Sequence, residues 1–289
     1  MTKKIHDALP SLAKPFLKWA GGKTQMLASY ADFFPKKFKG YHEPFVGSGA
    51  VYFYLCRLQS EGDLPHSMTR VRLTDNNADL VNAYQVVQNY VNDLIRLLRK
   101  HKEKHSATYY YQMRDLDTND LTDIQRAARM IYLNKTCFNG LYRVNKKGKF
   151  NVPMGRYKNP SVFDEENLLA VSAELKRADI RCESFRRVID DAKPGDFIYF
   201  DPPYYPLSKT SNFTSYTTDV FADFEHRLLA DVVRQLDRKG CMVMVSNSSA
   251  QFVWKLYENF KRERVKATRL INSKAQKRGK INELVILNY

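Results

Sequence analysis

Residues 41–55 read YHEPFVGSGAVYFYL. Positions 41–45 predict a strand, Gly47-Ser48-Gly49 predicts a turn, and the apolar run from position 50 to 55 predicts a helix. Glycines in such a turn let the backbone approach a ligand, and the helix N-terminus offers free N–H groups. The stretch therefore predicts the first unit of a doubly wound α/β sheet, with either a cofactor or a plain turn at the glycines.

The next predicted strand, residues 71–74, ends at Asp75. In a Rossmann-like unit a carboxylate at this place accepts hydrogen bonds from the two hydroxyls of a ribose. The alternative is that Asp75 only caps the following helix, whose apolar residues recur at helical spacing as far as Leu98. Because the glycine turn and the carboxylate occur in register, the sequence favours a nucleoside site.

Strand–helix alternation stops after this helix and resumes near residue 178. Four more strands are predicted, at 178–183, 197–200, 242–245 and 284–287, together with a helix at 221–239.

The interrupting segment has its own pattern. A helix is predicted at 124–133, and residues 141–152 predict a β-hairpin that turns at Lys146-Lys147-Gly148. The predicted organisation is a Rossmann-like sheet built from residues 1–80 and 172–289, with an inserted helical and β-hairpin domain at 81–171.

The formal net charge of +16 is concentrated in two segments. Seven basic and no acidic residues lie between Lys135 and Lys158, and nine basic residues stand against two acidic ones from Lys261 to the end. This clustering predicts a polyanionic partner that is bound through its phosphates. A basic but unoccupied surface is the alternative, and a lipid surface fits less well because the first segment predicts a hairpin rather than an amphipathic helix.

Composition excludes several other classes of protein. No apolar run approaches the roughly 20 residues that span a bilayer, and no apolar signal core follows Met1, so a cytoplasmic location without a membrane partner is expected. The four cysteines are far apart and lack metal-type spacing, which predicts reduced thiols and no bound metal.

Asp201-Pro202-Pro203-Tyr204 follows the apolar strand 197–200. The prolines have no N–H, so nearby carbonyls stay free to accept hydrogen bonds, while Asp201 adds an acceptor and Tyr204 a flat face. These groups suit a planar ring that carries an amine, such as a nucleobase. A proline-terminated strand followed by an ordinary turn is the alternative.

A further glycine element precedes these motifs, and with it the chain resembles a known family. The motifs occur in the order Phe16-x-Lys18-Trp19-x-Gly21-Gly22-Lys23, Phe45-x-Gly47-x-Gly49, Asp75 and Asp201-Pro202-Pro203-Tyr204. Together they resemble S-adenosylmethionine-dependent DNA adenine methyltransferases of the Dam type, in the alpha group of amino-methyltransferases. The resemblance extends over roughly residues 15–289 and includes Ser246-Asn247-Ser248 and Glu283 near the end.

The resemblance implies a role for each matching residue. Residues that contact S-adenosylmethionine or line its pocket would be Trp19, Lys23, Phe45, Gly47, Asp75, Phe185 and Asp201. Asp201 and the Pro202 carbonyl would accept from the amine of an extruded adenine, and Tyr204 would stack on it. The product would be S-adenosylhomocysteine, and no metal would take part.

The resemblance also makes the inserted domain, 81–171, the target-recognition domain for double-stranded DNA, with GATC as its site. Arg143 can pair with a guanine edge, and lysines of the turn hold phosphates. The full set of expected DNA contacts is Phe138, Asn139, Leu141, Arg143, Lys146, Lys147, Pro153, Tyr157, Arg278 and Lys280.

A monomer or weak dimer is expected, possibly with a companion restriction endonuclease. Two competing hypotheses are a nucleic-acid-binding module without catalysis and a methyltransferase that acts on RNA or on a protein amide.

Overall fold

The structure is a computed structural model that describes residues 13–64, 68–207, 221–268 and 280–289, except for the side chains of 267, 268 and 280–282. Its seven-stranded sheet has the order β3-β2-β1-β4-β5-β7-β6. The first five strands in this order are parallel, and β7 runs antiparallel to both β5 and β6. The strands are β1 (Gly40–Glu43), β2 (Arg70–Asp75), β3 (Ala178–Cys182), β4 (Phe197–Phe200), β5 (Met242–Ser248), β6 (Lys261–Thr268) and β7 (Lys280–Leu287).

Helices cover both faces of the sheet, as the side-chain alternation of its central strand requires. In β4, Phe197 and Tyr199 belong to one hydrophobic cluster, whereas Ile198 and Phe200 belong to a second cluster on the opposite face. The predicted doubly wound, Rossmann-like sheet is therefore confirmed. The helices are α1 (Leu27–Tyr30), α2 (Ala50–Ser60), α3 (Ala78–Glu103), α4 (Ala107–Asp115), α5 (Asp123–Thr136), α6 (Glu165–Leu175), α7 (Val188–Asp191), α8 (Asp223–Arg238) and α9 (Gln251–Leu256).

The segment between α3 and β3 packs on the sheet through α5. A capping box between Thr122 and Gln125 begins this helix. Its buried residues, among them Ala127 and Ile131, join the same hydrophobic cluster as Leu94 of α3. The segment therefore shares a continuous core with one face of the sheet. The boundaries of the inserted domain at residues 81 and 171 stay a prediction.

The predicted hairpin is present as a turn with little regular strand. Gly148 N donates to Asn145 O and Asn145 N to Lys149 O, and the ladder beyond the turn consists of an isolated bridge between Val144 and Phe150 and a hydrogen bond from Asn151 N to Arg143 O. The Asn145 side chain also accepts from the N–H groups of Lys147 and Lys149. Side-chain hydrogen bonds thus compete with the strand ladder, which shortens the predicted strands.

Asn134 of α5 ties this segment to the glycine element near the N-terminus. Its Oδ1 accepts from Lys18 N at 2.8 Å, and its Nδ2 donates to Lys18 O at 2.7 Å and to Gly140 O at 3.1 Å. The Asn134 side chain is fully buried. We call this arrangement the Asn134 clamp.

Within the described ranges, no helix is both long and apolar enough to cross a membrane.

Candidate active site

Asp201 follows β4 directly and makes short contacts through both carboxylate oxygens. Lys23 Nζ lies 2.7 Å from Oδ2, and Ser246 Oγ donates to Oδ1 at 2.7 Å. Burial raises the pKa of Asp201, while the Lys23 ammonium and the Ser246 hydroxyl oppose that rise. The sequence therefore places a partly buried acceptor, held between a cation and a hydroxyl, at the carboxyl end of a central strand.

Tyr204 is fixed at both its ring and its hydroxyl. The Lys23 ammonium lies 4.7 Å from the ring centroid, a cation–π distance. The Tyr204 hydroxyl donates to Glu283 Oε2 at 2.8 Å, and the Tyr30 hydroxyl donates to the same oxygen at 2.7 Å. Lys23 thus contacts both Asp201 and Tyr204, two residues that the sequence assigns to one pocket.

The backbone around the two prolines is held from β5. Pro202 is buried, and the N–H of Tyr205 donates to Asn247 Oδ1 at 3.1 Å. Within the described residues, no donor is paired with the Pro202 carbonyl. Asp201 and Tyr204 are therefore brought together through Lys23, and the role of the Pro202 carbonyl between them stays a prediction.

The glycine turn and Asp75 also meet. Gly47 has φ +48°, and its N–H donates to Asp75 Oδ2 at 3.3 Å, while Asn77 N donates to Oδ1 at 3.0 Å. Asn77, rather than Asp75, caps α3 by accepting from Leu80 N. The alternative hypothesis that Asp75 is the helix cap is therefore wrong, and burial raises the pKa of its carboxyl against the hydrogen bonds from Asn77 and Gly47.

Three phenylalanines form an aromatic group beside the glycine turn. Phe45 stacks on Phe185 with ring centroids 5.3 Å apart, and Phe221 lies edge-on to Phe45 at 5.7 Å. Trp19 takes part in a different contact, since its ring stacks on Tyr142 at 5.2 Å. The Cβ of a side chain at Gly47 would come within 3.0 Å of the Trp19 ring, so that ring closely covers the glycine turn.

Two buried polar atoms at the end of β5 are unpaired within the described part of the chain. They are Asn247 Nδ2 and Ser248 Oγ. A buried donor without a partner costs about 1–3 kcal/mol, so such atoms mark a place where a polar ligand would be favourable. Asp75 and the glycine turn, which meet at the end of β2, fit a nucleoside-type cofactor.

Glu43 is a site residue to which the sequence analysis assigned no role. It ends β1, is buried, and accepts from the Tyr41 hydroxyl at 2.8 Å. Burial raises the pKa of Glu43 to about 8 despite this hydrogen bond. Its position in the predicted first strand was a usable signal, because the carboxyl ends of parallel strands meet at one edge of a sheet.

The sequence also predicted no role for four other residues of the site, namely Tyr30, Ser246, Asn247 and Glu283. Ser246, Asn247 and Glu283 belong to motifs that the sequence analysis noted without assigning a role.

The expected DNA-contacting residues lie on the hairpin and its base. Phe138 is 47% exposed, Asn139 has φ +55°, and Leu141 is half-buried. Arg143 is exposed and its Nε donates to Asn151 Oδ1 at 2.7 Å, which braces the guanidinium across the turn.

Other members of the expected set are exposed as well, namely Lys146, Lys147, Pro153 and Tyr157. The Tyr157 ring lies 4.7 Å from the Lys18 ammonium, next to the glycine element. Lys280 begins β7, but its side chain and all of Arg278 lie outside the described residues.

The sheet order and the side chains at the carboxyl ends of its parallel strands are those of a Rossmann-like methyltransferase. The chain belongs to the D12 class of N6 adenine-specific DNA methyltransferases, whose family model matches residues 19–271.

Full-length relatives agree with this assignment. The chain is 47% identical to the type II methyltransferase M.MjaIII of Methanocaldococcus jannaschii, over 96% of this chain and 99% of the relative. It is 40% identical to the type II methyltransferase M1.LlaDCHI of Lactococcus lactis subsp. cremoris, over 96% and 95%. It is 34% identical to the DNA adenine methylase of Escherichia coli, over 95% of both chains.

The protein is therefore an enzyme that methylates adenine in DNA, as the sequence motifs predict. The resemblance to adenine methyltransferases is confirmed, and membership of this family implies S-adenosylmethionine as the methyl donor.

Proposed function

We propose that this enzyme methylates the exocyclic amine of adenine within duplex GATC and extrudes the base from the helix to do so. The observation that carries the proposal is that Lys23 contacts both Asp201 and Tyr204 at the end of β4, with Pro202 between them in the chain. These groups offer two acceptors and a ring face to one planar amine.

The residues at the carboxyl ends of the strands suit the donor. Asp75 would accept from the ribose hydroxyls, and Gly47 lets the backbone approach closely. Phe45 and Phe185 would border the adenine ring, while Trp19, Lys23 and Asp201 would complete the pocket. S-adenosylmethionine supplies a methyl group activated by its sulfonium, and S-adenosylhomocysteine is the product.

Asp201 and the Pro202 carbonyl accept from the amine and thereby direct the nitrogen lone pair out of the ring. Because Lys23 opposes the effect of burial, it favours the carboxylate form of Asp201, and in that form both oxygens of the side chain can only accept hydrogen bonds. Tyr204 offers the stacking surface that replaces the lost base stacking, whose cost is a few kcal/mol. Catalysis in this scheme comes from positioning and electrostatics and needs no metal.

Recognition of the site is assigned to residues 81–171 and the C-terminal basic segment. Arg143 would read a guanine edge, Phe138 or Leu141 would fill the space that the adenine leaves, and Asn139 would contact a base or phosphate. The remaining contacts, to phosphates and the groove edge, are assigned to Lys146, Lys147, Pro153, Tyr157, Arg278 and Lys280.

We further propose that the enzyme acts in the cytoplasm as a monomer or weak dimer. A companion restriction endonuclease is supported by the two relatives that are named type II methyltransferases.

The test uses labelled S-adenosylmethionine and three short duplexes. One carries GATC, one carries a single-base variant of it, and one carries GATC already methylated at N6 on both strands. We expect methyl transfer to the first alone. Equal transfer to the first two would contradict GATC specificity, and transfer to the premethylated duplex would show that another atom is modified.

A further inference from the structure

Glu283 connects three segments of the active site through one carboxylate oxygen. Its Oε2 accepts from the Tyr204 hydroxyl at 2.8 Å and from the Tyr30 hydroxyl at 2.7 Å. Glu283 lies in β7, where it pairs with Ser248 at the carboxyl end of β5. The C-terminal strand therefore reaches the tyrosine that is proposed to stack on the adenine.

The second tyrosine leads back to the N-terminal glycine element. Tyr30 ends α1, whose first turn follows Lys23: Met26 N donates to Lys23 O at 2.7 Å, and Tyr30 N donates to Met26 O at 3.0 Å. Lys23 in turn contacts Asp201 at 2.7 Å and the Tyr204 ring at 4.7 Å. The contacts close a ring that runs from Glu283 through Tyr30, Lys23 and Tyr204 back to Glu283.

This ring determines the plane of the Tyr204 side chain. A tyrosine held only at Cβ can turn about two torsions, but one whose hydroxyl is bound at the far end cannot swing away. Hydrogen bonds to a carboxylate are shorter and stronger than those between neutral groups. The Tyr30 hydroxyl is fully buried and shares the same acceptor, which fixes the acceptor in turn.

We propose that Glu283 is a positioning residue that holds the Tyr204 ring in place as a preformed stacking surface for the target adenine. The inference rests on the proposed function of Tyr204. Because Glu283 acts through the tyrosine, its loss lowers the rate of the methylation step and leaves duplex affinity nearly unchanged.

The test is a double-mutant cycle with Glu283→Gln and Tyr204→Phe, the second of which keeps the ring and removes only the hydroxyl. Single-turnover methylation of a GATC duplex, kcat and KM, and the duplex Kd are measured for each variant. Fluorescence of 2-aminopurine at the target position reports extrusion of the base. Glu263→Gln on the neighbouring strand β6 is the matched control, because it removes the same charge from a partly exposed carboxylate.

Each single variant is expected to lower the single-turnover rate and kcat about tenfold, with KM and duplex Kd within about twofold, and the double variant is expected to be no slower than either. Multiplied losses in the double variant would overturn the proposal, because Glu283 would then act independently of the Tyr204 hydroxyl. An unchanged rate in Tyr204→Phe would also overturn it, even if Glu283→Gln failed to fold. Failure of the wild-type enzyme to methylate the duplex would refute the proposed function instead.

Discussion

At the scale of single residues, two acidic side chains of the active site, Asp201 and Glu43, differ in the groups that surround their carboxyl oxygens. Asp201 has a cation on one oxygen and a hydroxyl on the other. Glu43, at the end of the adjacent strand β1, has only the Tyr41 hydroxyl as its close side-chain partner among the described residues. The two carboxyl groups are therefore expected to respond differently to substitution and to pH.

Replacement of Asp201 by alanine is expected to lower methylation by about 10²–10³-fold or more, since preorganised electrostatic groups contribute on this order. Duplex binding should largely survive because the hairpin is untouched. A filter-binding assay and a single-turnover assay on the same preparation measure the two effects, and thermal unfolding checks that the fold tolerates loss of the ion pair between Lys23 and Asp201. Retained turnover would contradict the role assigned to Asp201.

Glu43 predicts a pH dependence of stability. Its pKa in the folded protein is about 8, above the value of roughly 4.3 expected when unfolded, so the folded state holds more protons between these values. The free energy of unfolding should then fall as pH rises through this range, by at most about 1.4 kcal/mol per pH unit.

Glu43→Gln should remove this contribution and flatten the curve. Urea unfolding at pH 6, 7 and 8 measures the slope, with the partly exposed Glu61→Gln as control. Parallel curves for wild type and Glu43→Gln would show that the carboxyl is ionised in the folded protein.

At the scale of elements, the hairpin combines an arginine held in place by hydrogen bonds with exposed lysines. The Arg143 guanidinium donates to the side chain and to the backbone carbonyl of Asn151. Lys147 is exposed in the turn, and its ammonium has no partner among the described residues. A braced guanidinium suits recognition of a base edge, and a free ammonium suits a phosphate.

Arg143→Ala is therefore expected to reduce discrimination between GATC and a single-base variant by about 1–3 kcal/mol. Lys147→Ala should weaken binding to both sequences equally and lower the slope of log K against log salt by about one unit. Competition binding over a salt series distinguishes the two results. Equal loss on all sequences for Arg143→Ala would refute base reading.

The elements also show what the sequence could and could not predict. Six of the seven sheet strands and the three longest helices were predictable because their apolar periodicity is a local property. Strand β6 was missed because its sequence, KRERVKAT, is mostly charged. The hairpin ladder was overpredicted because the Asn145 side chain takes backbone donors that a strand would use. The contacts of Glu283 were not predictable, since they join β7 to Tyr30 and Tyr204 across more than 250 and more than 70 residues of chain, respectively.

At the scale of the whole molecule, the net charge of +16 and a sheet covered by helices on both faces were predictable from the sequence. The approach of the hairpin base to the N-terminal glycine element was not, because it depends on contacts between residues far apart in the chain, such as Trp19 with Tyr142 and Lys18 with Asn134. The Asn134 clamp holds both backbone groups of Lys18 and also the carbonyl of Gly140.

The clamp has a thermodynamic consequence. The segment that carries Trp19 and Lys23 and the segment that begins the hairpin cannot shift independently while Asn134 holds both. If the first segment binds the methyl donor and the second binds DNA, as proposed above, the two affinities are linked by a single coupling free energy, which must be the same in both directions.

Asn134→Ala is expected to move the coupling factor toward one, while the contact between Trp19 and Tyr142 remains. Calorimetric titration of S-adenosylhomocysteine, with and without a saturating GATC duplex, measures that factor, and the reverse titration must return the same value. A factor unchanged from wild type would place the coupling elsewhere. A factor that falls toward one would instead show that a single buried amide links the affinity for the methyl donor to the affinity for DNA.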